Sequence, residues 1–398
     1  MKLNMPNLFI EISNNEYTFI VLVNDDNNNL DILYKNSVSI KETKDNTLFD
    51  FELAHNTIKK NIYFIEQKLN FTLKETVVIL NNFNSFFINL AGYKKLNGSQ
   101  VLKENITYLL NSLKSNVEEF EAEKKILHIF NSKYCLDKKK IENLPIGLFG
   151  DFYSHELSFC LINKNDYKNF NNIFNKCNLK LTKILLKSFV EGSYISNKNK
   201  NSDTFLKVKI GKNESQIFYF ENYALKSEQN FSFGSNLVQN DISKVTSLNK
   251  DTVKKILYNS KFNQEISEQE LVEEKLFNEE KYRKIKKKLI YEIATARIQE
   301  LSEIFLIKNI NFSHYLKKDV SIFLEISDKT NLKCFEESYR LFFSKKAYLK
   351  LKFIENITIE EIVNSAYNLI HFGWKREAVP VIQSKKSLIS RFFDIIFG

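Results

Sequence analysis

Apolar and polar residues alternate at the start of the chain. "LFIEIS" turns through Asn14 and Asn15 into "YTFIVLV", and after a polar Asp/Asn turn comes "LDILYKNSVSI". That two-residue period predicts strands. The period then lengthens: Leu53, Ile58, Ile62, Ile65 and Leu69 share a helical spacing before "ETVVILNN" returns to a strand. Hairpin and strand, then helix, then strand is the order of a mixed sheet with crossover helices. A second module follows, with strand-like "SFFINLAGY", helical "SQVLKENITYLLNSLKSNV" and alternating "KKILHIFNSKYCLD". Its last stretch, "LPIGLFGDFYSHELSFCLI", holds the first clustered Pro and Gly.

The helix "KNDYKNFNNIFNKCNL" leads back to "KLTKILLKSFVEGSYI", and a polar break from Ser196 to Asp203 opens a second half. This half also begins on a hairpin of strands, "TFLKVKIGKNESQIFYFENYALKSEQNFSF". Two halves opening alike is the layout of a duplicated fold. Lys281 to Ile310 predicts one long helix, with Ile285, Leu289, Ile290, Ile293, Leu301, Ile304 and Phe305 on one broad face. "SIFLEIS" and "AYLKLKFI" are strands, and "TIEEIVNSAYNLIHFGW" is a last helix of this body with Thr358 as N-cap.

Composition narrows the function classes. With 398 residues, 43% hydrophobic and 14% aromatic, the chain can fill two domains. The net charge of +10 favours anionic partners, nucleic acid or an anionic membrane surface, but it is too evenly spread to choose between them. The start lacks the h-region of a secretory signal, and no run reaches the ~20 apolar residues of a membrane span. Cys135, Cys160, Cys177 and Cys334 form no CxxC pair, which fits free thiols in a reducing cytosol. His55, His128, His155, His314 and His371 show no metal-ligand spacing, so no metal site is expected. There is no GxxxxGK[ST], GxSxG, GxGxxG or HExxH motif. Only 9 glycines occur, against a usual share of about 7%. Phosphate-cradling loops need glycine for close backbone approach, so a nucleotide enzyme of this composition would be unusual.

Three segments together resemble FtsA, the actin-like cell-division family that ties FtsZ filaments to the membrane. "LHIFNSKYCLDKKKIENLPIGLFG" (Leu127 to Gly150) matches the family's stretch ending in Pro-x-Gly-x-x-Gly, in its subdomain 1C. "SFGSNLVQNDI" (Ser232 to Ile242) matches its Gly and Asn-Asp-Ile at the entry to subdomain 2B. "ATARIQELSEIF" (Ala294 to Phe305) is similar to its 2B helix with an Ala-Arg-x-x-Glu signature. Their order and spacing cover nearly the whole chain. The resemblance implies an α/β, two-lobed fold of the actin, Hsp70 and sugar-kinase ATPase superfamily, with a 1C insertion and a C-terminal amphipathic helix. The implied division is 1–82 and 159–200 for subdomain 1A, 83–158 for 1C, 201–240 and 318–374 for 2A, and 241–317 for 2B. A linker over 375–384 and a membrane-targeting helix over 385–398 complete it.

In the family ATP with magnesium sits between the lobes, and here the sequence departs from the pattern. The first phosphate hairpin reads Glu11-Ile12-Ser13-Asn14-Asn15, without Gly-Thr, although Asn14 and Asn15 can supply positive φ. The second reads Lys209-Ile210-Gly211-Lys212-Asn213-Glu214-Ser215, where Lys209 replaces the acid that would hold a magnesium-bound water. The adenosine loop is Glu325-Ile326-Ser327-Asp328 instead of Gly-rich, and the ribose-contacting acid before Lys255 is missing around Thr252. The resemblance places residual nucleotide contacts at Ser13, Asn14, Asn15, Gly211, Lys212, Asn213, Gly234 and Lys255. Either altered side chains still hold a nucleotide, with Lys209 and Lys212 neutralising phosphate, or the cleft is a filled, closed contact. Impaired or lost ATP binding is the expectation, and ATP hydrolysis is not expected.

Partner sites follow from the same resemblance. It places the FtsZ C-terminal peptide against Arg297 and Glu300, where an Arg can hold an acidic peptide through charge-assisted bonds. The basic run Lys281, Arg283, Lys284, Lys286, Lys287 and Lys288 precedes that site. At the end of the sequence, Leu388, Phe392 and Ile396 form one i,i+4 row, and Ile389, Phe393 and Phe397 the next. Ile395 widens the stripe, and Lys385, Lys386 and Arg391 flank it, the pattern of an interfacial membrane helix. A helix this short folds as it binds, and a row of copies gains avidity, which argues for self-association. The connector Gly373 to Ser384 spans at most about 40 Å at ~3.3–3.6 Å per residue. The sequence reading is a peripheral protein at midcell, on the cytoplasmic face of the bacterial inner membrane. It polymerises, tethers FtsZ, recruits other divisome proteins and takes no nucleic acid. A PilM-like pilus-assembly adaptor and a working actin-like ATPase are the alternatives.

Overall fold

A computed structural model describes residues 6–24, 30–40, 43–44, 47–48, 50–199, 202–263, 265–277, 280–316, 320–344 and 350–379. They belong to two compact units, Met1–Asn201 with Glu221–Ser227 and Thr358–Gly398, and Ser202–Phe220 with Glu228–Ile357.

The first unit opens on a meander, β1 (Asn7–Ile12), β2 (Glu16–Asn24) and β3 (Leu30–Ser39). A two-stranded ladder, β4 (Thr43–Lys44) and β5 (Thr47–Leu48), leads into α1 (Phe51–Leu69). Asp50 caps α1 by accepting from Leu53 N at 2.9 Å, and Asn70 ends it in the left-handed region at φ 49°. Then come β6 (Glu75–Leu80), β7 (Phe86–Lys95), α2 (Lys103–Phe120), β8 (Lys124–Leu136), β9 (Lys139–Ile141) and β10 (Phe152–Asn163). α3 (Lys164–Lys176), β11 (Lys180–Leu186) and α4 (Lys187–Lys198) follow. The first sheet is ordered β11-β6-β1-β2-β3, with β6 parallel to both β1 and β11. Leu8 to Ile12 and Val77 to Leu80 are all buried, as strands covered on both faces must be.

The second unit repeats this plan. β12 (Phe205–Ile210), β13 (Ser215–Glu221) and β14 (Ala224–Phe231) come first. Asn222 and Tyr223, within the stretch Glu221–Ser227 that belongs to the first unit, both take positive φ in the two-residue turn between β13 and β14, the conformation that matches strand twist. α5 (Asn236–Thr246), α6 (Lys250–Asn259), α7 (Lys287–Ser302) and α8 (Ile310–Ser313) precede β15 (Ser321–Ile326), α9 (Lys329–Phe343) and β16 (Lys350–Ile354). The sheet is ordered β14-β13-β12-β15-β16, with β15 parallel to β12 and β16. Both sheets thus set two successive parallel strands beside the first strand of an opening hairpin, as expected of a duplicated fold.

The helix expected over Lys281 to Ile310 is shorter than its apolar stripe. α7 starts only at Lys287, because the residues before it pair as extended chain, Val272 N donating to Ile285 O at 2.9 Å. It ends in a π-helical turn, Glu303–Ile307.

Thr358 returns the chain to the first unit through α10 (Ile359–His371) and β17 (Glu377–Val379). Thr358 does cap α10: its hydroxyl accepts from Glu361 N, and the Glu361 carboxylate accepts from Thr358 N at 2.9 Å. β17 closes a third five-stranded sheet, ordered β17-β8-β10-β7, with β9 on β8 and α2 packed on one face. The connector expected over 375–384 therefore begins with an ordered strand, fixed by pairing with β8 far away in sequence.

Candidate ligand site and partner residues

The turn between β12 and β13 is closed on itself. Gly211 N donates to Glu214 O at 2.9 Å, and a Cβ on Gly211 would come within 2.7 Å of that oxygen. A Cβ on Gly234 would overlap the Gly211 carbonyl oxygen, so the start of α5 is seated directly on the turn. The amides at the start of α5 are engaged. Ser235 N donates to Gly211 O at 2.8 Å and Asn236 N to Lys212 O at 3.0 Å. Leu237 N donates to Gly234 O and Val238 N to Ser235 O, both at 3.1 Å. An anion at a helix N-terminus needs such amides open, and here they bond the protein's own carbonyls. Asn213 is bonded to the Asn236 amide group, while Lys212 and Glu214 stand exposed on the turn with opposite charges.

Charges beneath the turn are paired in the same inward way. Lys207, fully buried, meets Glu325 at 2.7 Å, and Lys209 lies 3.7 Å from the other oxygen of that carboxylate. Lys209 is the penultimate residue of β12, the position that Glu11 holds in β1. Glu11 in turn accepts from Lys187 at 2.7 Å and Asn81 at 2.8 Å. In each unit a lysine thus neutralises the carboxylate at the end of the central parallel strands. Magnesium wants carboxylate or water oxygens around it, and an ammonium at Lys209 repels it. The second unit's turn does not fit a magnesium-bound triphosphate.

A cavity of about 570 Å³ remains in the second unit, lined by residues Leu257 to Asn263 and by Lys329, Thr330, Lys333 and Cys334. Asp328 sits at its edge as the N-cap of α9, accepting from Thr330 N and Asn331 N at 3.1 Å. That carboxylate occupies the helix start an anion would use. Burial pushes the Cys334 thiol up to about 11, and it donates to Leu257 O at 3.0 Å, so it is a packed thiol, not a reactive one. This cavity was missed in the sequence because two distant segments line it. The Asp328 cap had a local signal, an Asp just ahead of a helical pattern.

The other sequence-derived residues are dispersed. Ser13, Asn14 and Asn15 form the β1–β2 turn in the first unit, closed by Ser13 N donating to Glu16 O at 3.0 Å. Neither Asn14 nor Asn15 takes positive φ, so the glycine-like conformation open to them is not used. Lys255 lies on α6, donates to Lys275 O at 3.3 Å and does not line the cavity. Arg297, on α7, bonds Asp241 of α5 through Nε and Glu300 through a second nitrogen at 2.6 Å. Residues 385–398, with Lys385, Lys386, Leu388, Ile389, Arg391, Phe392, Phe393, Ile395, Ile396 and Phe397, lie outside the described residues. Among the described residues no helix is long and apolar enough to cross a membrane, and no His, Cys, Asp and Glu cluster could hold a metal ion.

No family model and no curated protein sequence matches the chain. Solved structures do. The structure is similar to the PilM–PilN type IV pilus biogenesis complex, with TM-score 0.54 and 8% identity over 92% of this chain and 96% of that one. It is similar at TM-score 0.44 and 12% identity to MreB5 of Spiroplasma citri bound to ADP, covering 92% of this chain and 95% of that one. Ethanolamine utilization protein EutJ of Carboxydothermus hydrogenoformans gives TM-score 0.41 and 9% identity over 87% of this chain and 84% of that one. The chain has the actin-like ATPase fold. That bears out the fold class inferred from the resemblance; at these identities the likeness speaks to fold alone.

Proposed function

We propose that this actin-like chain is an adaptor rather than an ATPase: it self-associates on the cytoplasmic face of a bacterial membrane and tethers FtsZ there. The observation that carries the reading is the closed β12–β13 turn, whose carbonyls take the amides at the start of α5. A fold that consumes its own phosphate donors keeps its shape and its surfaces, and those are what an adaptor uses. The collinear FtsA-like motifs, Arg297 with Glu300 on α7, and the amphipathic pattern of 385–398 support the specific assignment. Other divisome proteins would be recruited through the same assembly at midcell.

A pilus-assembly adaptor is the second reading. It is favoured by the similarity to PilM of the PilM–PilN complex, which extends over 92% of this chain. Fluorescence anisotropy separates the two. A labelled FtsZ C-terminal peptide should bind the full chain and a PilN cytoplasmic peptide should not. The opposite result would replace the division reading with the pilus one.

A further inference from the structure

The loop between β9 and β10 presents an uncharged run, Leu144-Pro145-Ile146-Gly147-Leu148-Phe149, at one end of the β17-β8-β10-β7 sheet. Ile146 is 53% exposed, Leu148 49% and Phe149 68%, and Leu102 (51%) and Phe152 (51%) extend the patch along its flank. Scattered exposed apolar residues are ordinary, but a contiguous group on one loop marks a contact surface.

The backbone of this loop is turned inward. Gly147 N donates to Val101 O and Val101 N to Leu148 O, both at 2.9 Å, while Gly150 N donates to Ser99 O at 3.2 Å. Leu148 N bonds Pro145 O, and the Asp137 carboxylate takes the amides of Asp151 and Phe152, both at 2.8 Å. Gly147 allows the turn at φ 84°, and Gly150 lies so close to Leu136 that a Cβ would meet its side chain at 2.6 Å. A strand-forming peptide needs open backbone groups, and these are engaged. A lipid surface needs the reverse, apolar side chains on a backbone whose polar groups are already paired. The charges nearby leave cations for the same occupant. Lys95, Lys103, Lys138 and Lys139 are exposed beside the loop, and Lys140 donates to the Asn222 side chain at 2.7 Å, against exposed Glu104, Asp137, Glu142 and Asp151, of which Asp137 is bonded to backbone amides.

We infer that this loop is a second membrane contact, inserting Ile146, Leu148 and Phe149 among acyl chains while the lysines meet anionic headgroups. The inference rests on the membrane reading above but not on residues 385–398. Two contacts of modest affinity on one body bind together with avidity and fix its orientation on the surface.

The test uses the full chain, whose single tryptophan is Trp374. A Phe149→Trp variant is mixed with phosphatidylcholine vesicles carrying brominated acyl chains, with and without phosphatidylglycerol. The expected result is quenching beyond that of the unmodified chain, only when phosphatidylglycerol is present. A full chain with Ile146→Ser and Phe149→Ser should partition onto the same vesicles about tenfold more weakly. Sedimentation with vesicles but no added quenching would overturn this inference and leave the tail anchor standing. Failure to sediment at all would overturn both. A smaller lipid-free oligomer in the double variant would assign the patch to a second copy of the chain and overturn the lipid assignment.

Discussion

Glu377, on the last described strand, holds the buried ring of His128 at 2.9 Å through one carboxylate oxygen, and Lys183 at 2.9 Å through the other. The three come from β17, β8 and β11, so the bonds tie this last described strand to the body of the first unit. Asn131 N adds a bond to Arg376 O at 2.7 Å, and Trp374 Nε1 one to Tyr223 O at 2.7 Å. Removing one partner of a buried charge pair leaves the others uncompensated and costs about 3–5 kcal/mol. Glu377→Ala should lose stability of that order in urea denaturation. It should also speed hydrogen exchange at the Asn131 amide. Unchanged exchange would mean that the main-chain pairing holds β17 without the carboxylate.

The same network sets a pH dependence. Burial pushes His128 below its ordinary 6.5, against the pull of Glu377, and burial takes His155 to about 4, helped by the charge of Arg376. Burial would raise Glu377, but the bonds from His128 and Lys183 outweigh it and hold the carboxyl below its ordinary 4.5. In all three the unfolded chain binds protons that the folded chain refuses, so stability is present at high pH and is lost as the pH is lowered. Thermal midpoints should be level above about pH 7.5 and decline from 6.5 toward 4, the histidines acting first. A flat profile over that range would contradict the burial of both rings.

Gly234 tests the closed turn. Its missing Cβ is what lets α5 rest on Gly211, so Gly234→Ala must push the two apart. Overpacking of this kind typically costs about 1–3 kcal/mol. A thermal midpoint lowered by several degrees is expected, and an unchanged midpoint would show that the turn yields easily.

Calorimetry addresses the nucleotide directly. Lys209 sits beside Glu325 where a magnesium ligand would be needed, so ATP should give the same weak or negligible heats with and without magnesium. A tight, magnesium-dependent isotherm would return the ATPase alternative to first place.

The sheets were legible because their information is local. Buried strands such as Leu8 to Ile12 announce themselves by composition, and α1 and α10 by an apolar stripe behind a capping residue. What stayed hidden depends on distant partners. Residues 281 to 286 carry a helical pattern, yet Ile285 pairs with Val272 as extended chain and delays α7. Residues 377 to 379 are too few to show a period, and only β8 makes them a strand. From sequence Lys209 could either neutralise a phosphate or sit in a closed contact, since nothing local reveals the carboxylate of Glu325 opposite it in the register.

Arg297 carries the last test. Its two acidic partners differ: Asp241, on α5, is mostly covered and orients the guanidinium, whereas Glu300 is half exposed on the same helix. An incoming peptide carboxylate would have to displace Glu300, the more accessible competitor, and keep Asp241 as the brace. Glu300→Gln should therefore tighten binding of the FtsZ C-terminal peptide by about threefold, the worth of one exposed ion pair. Asp241→Asn should weaken it by loosening the fork, and Arg297→Lys should weaken it further because an ammonium cannot make the two-nitrogen contact. If Glu300→Gln weakens binding instead, Glu300 contacts the peptide itself, and the guanidinium is a structural brace between α5 and α7.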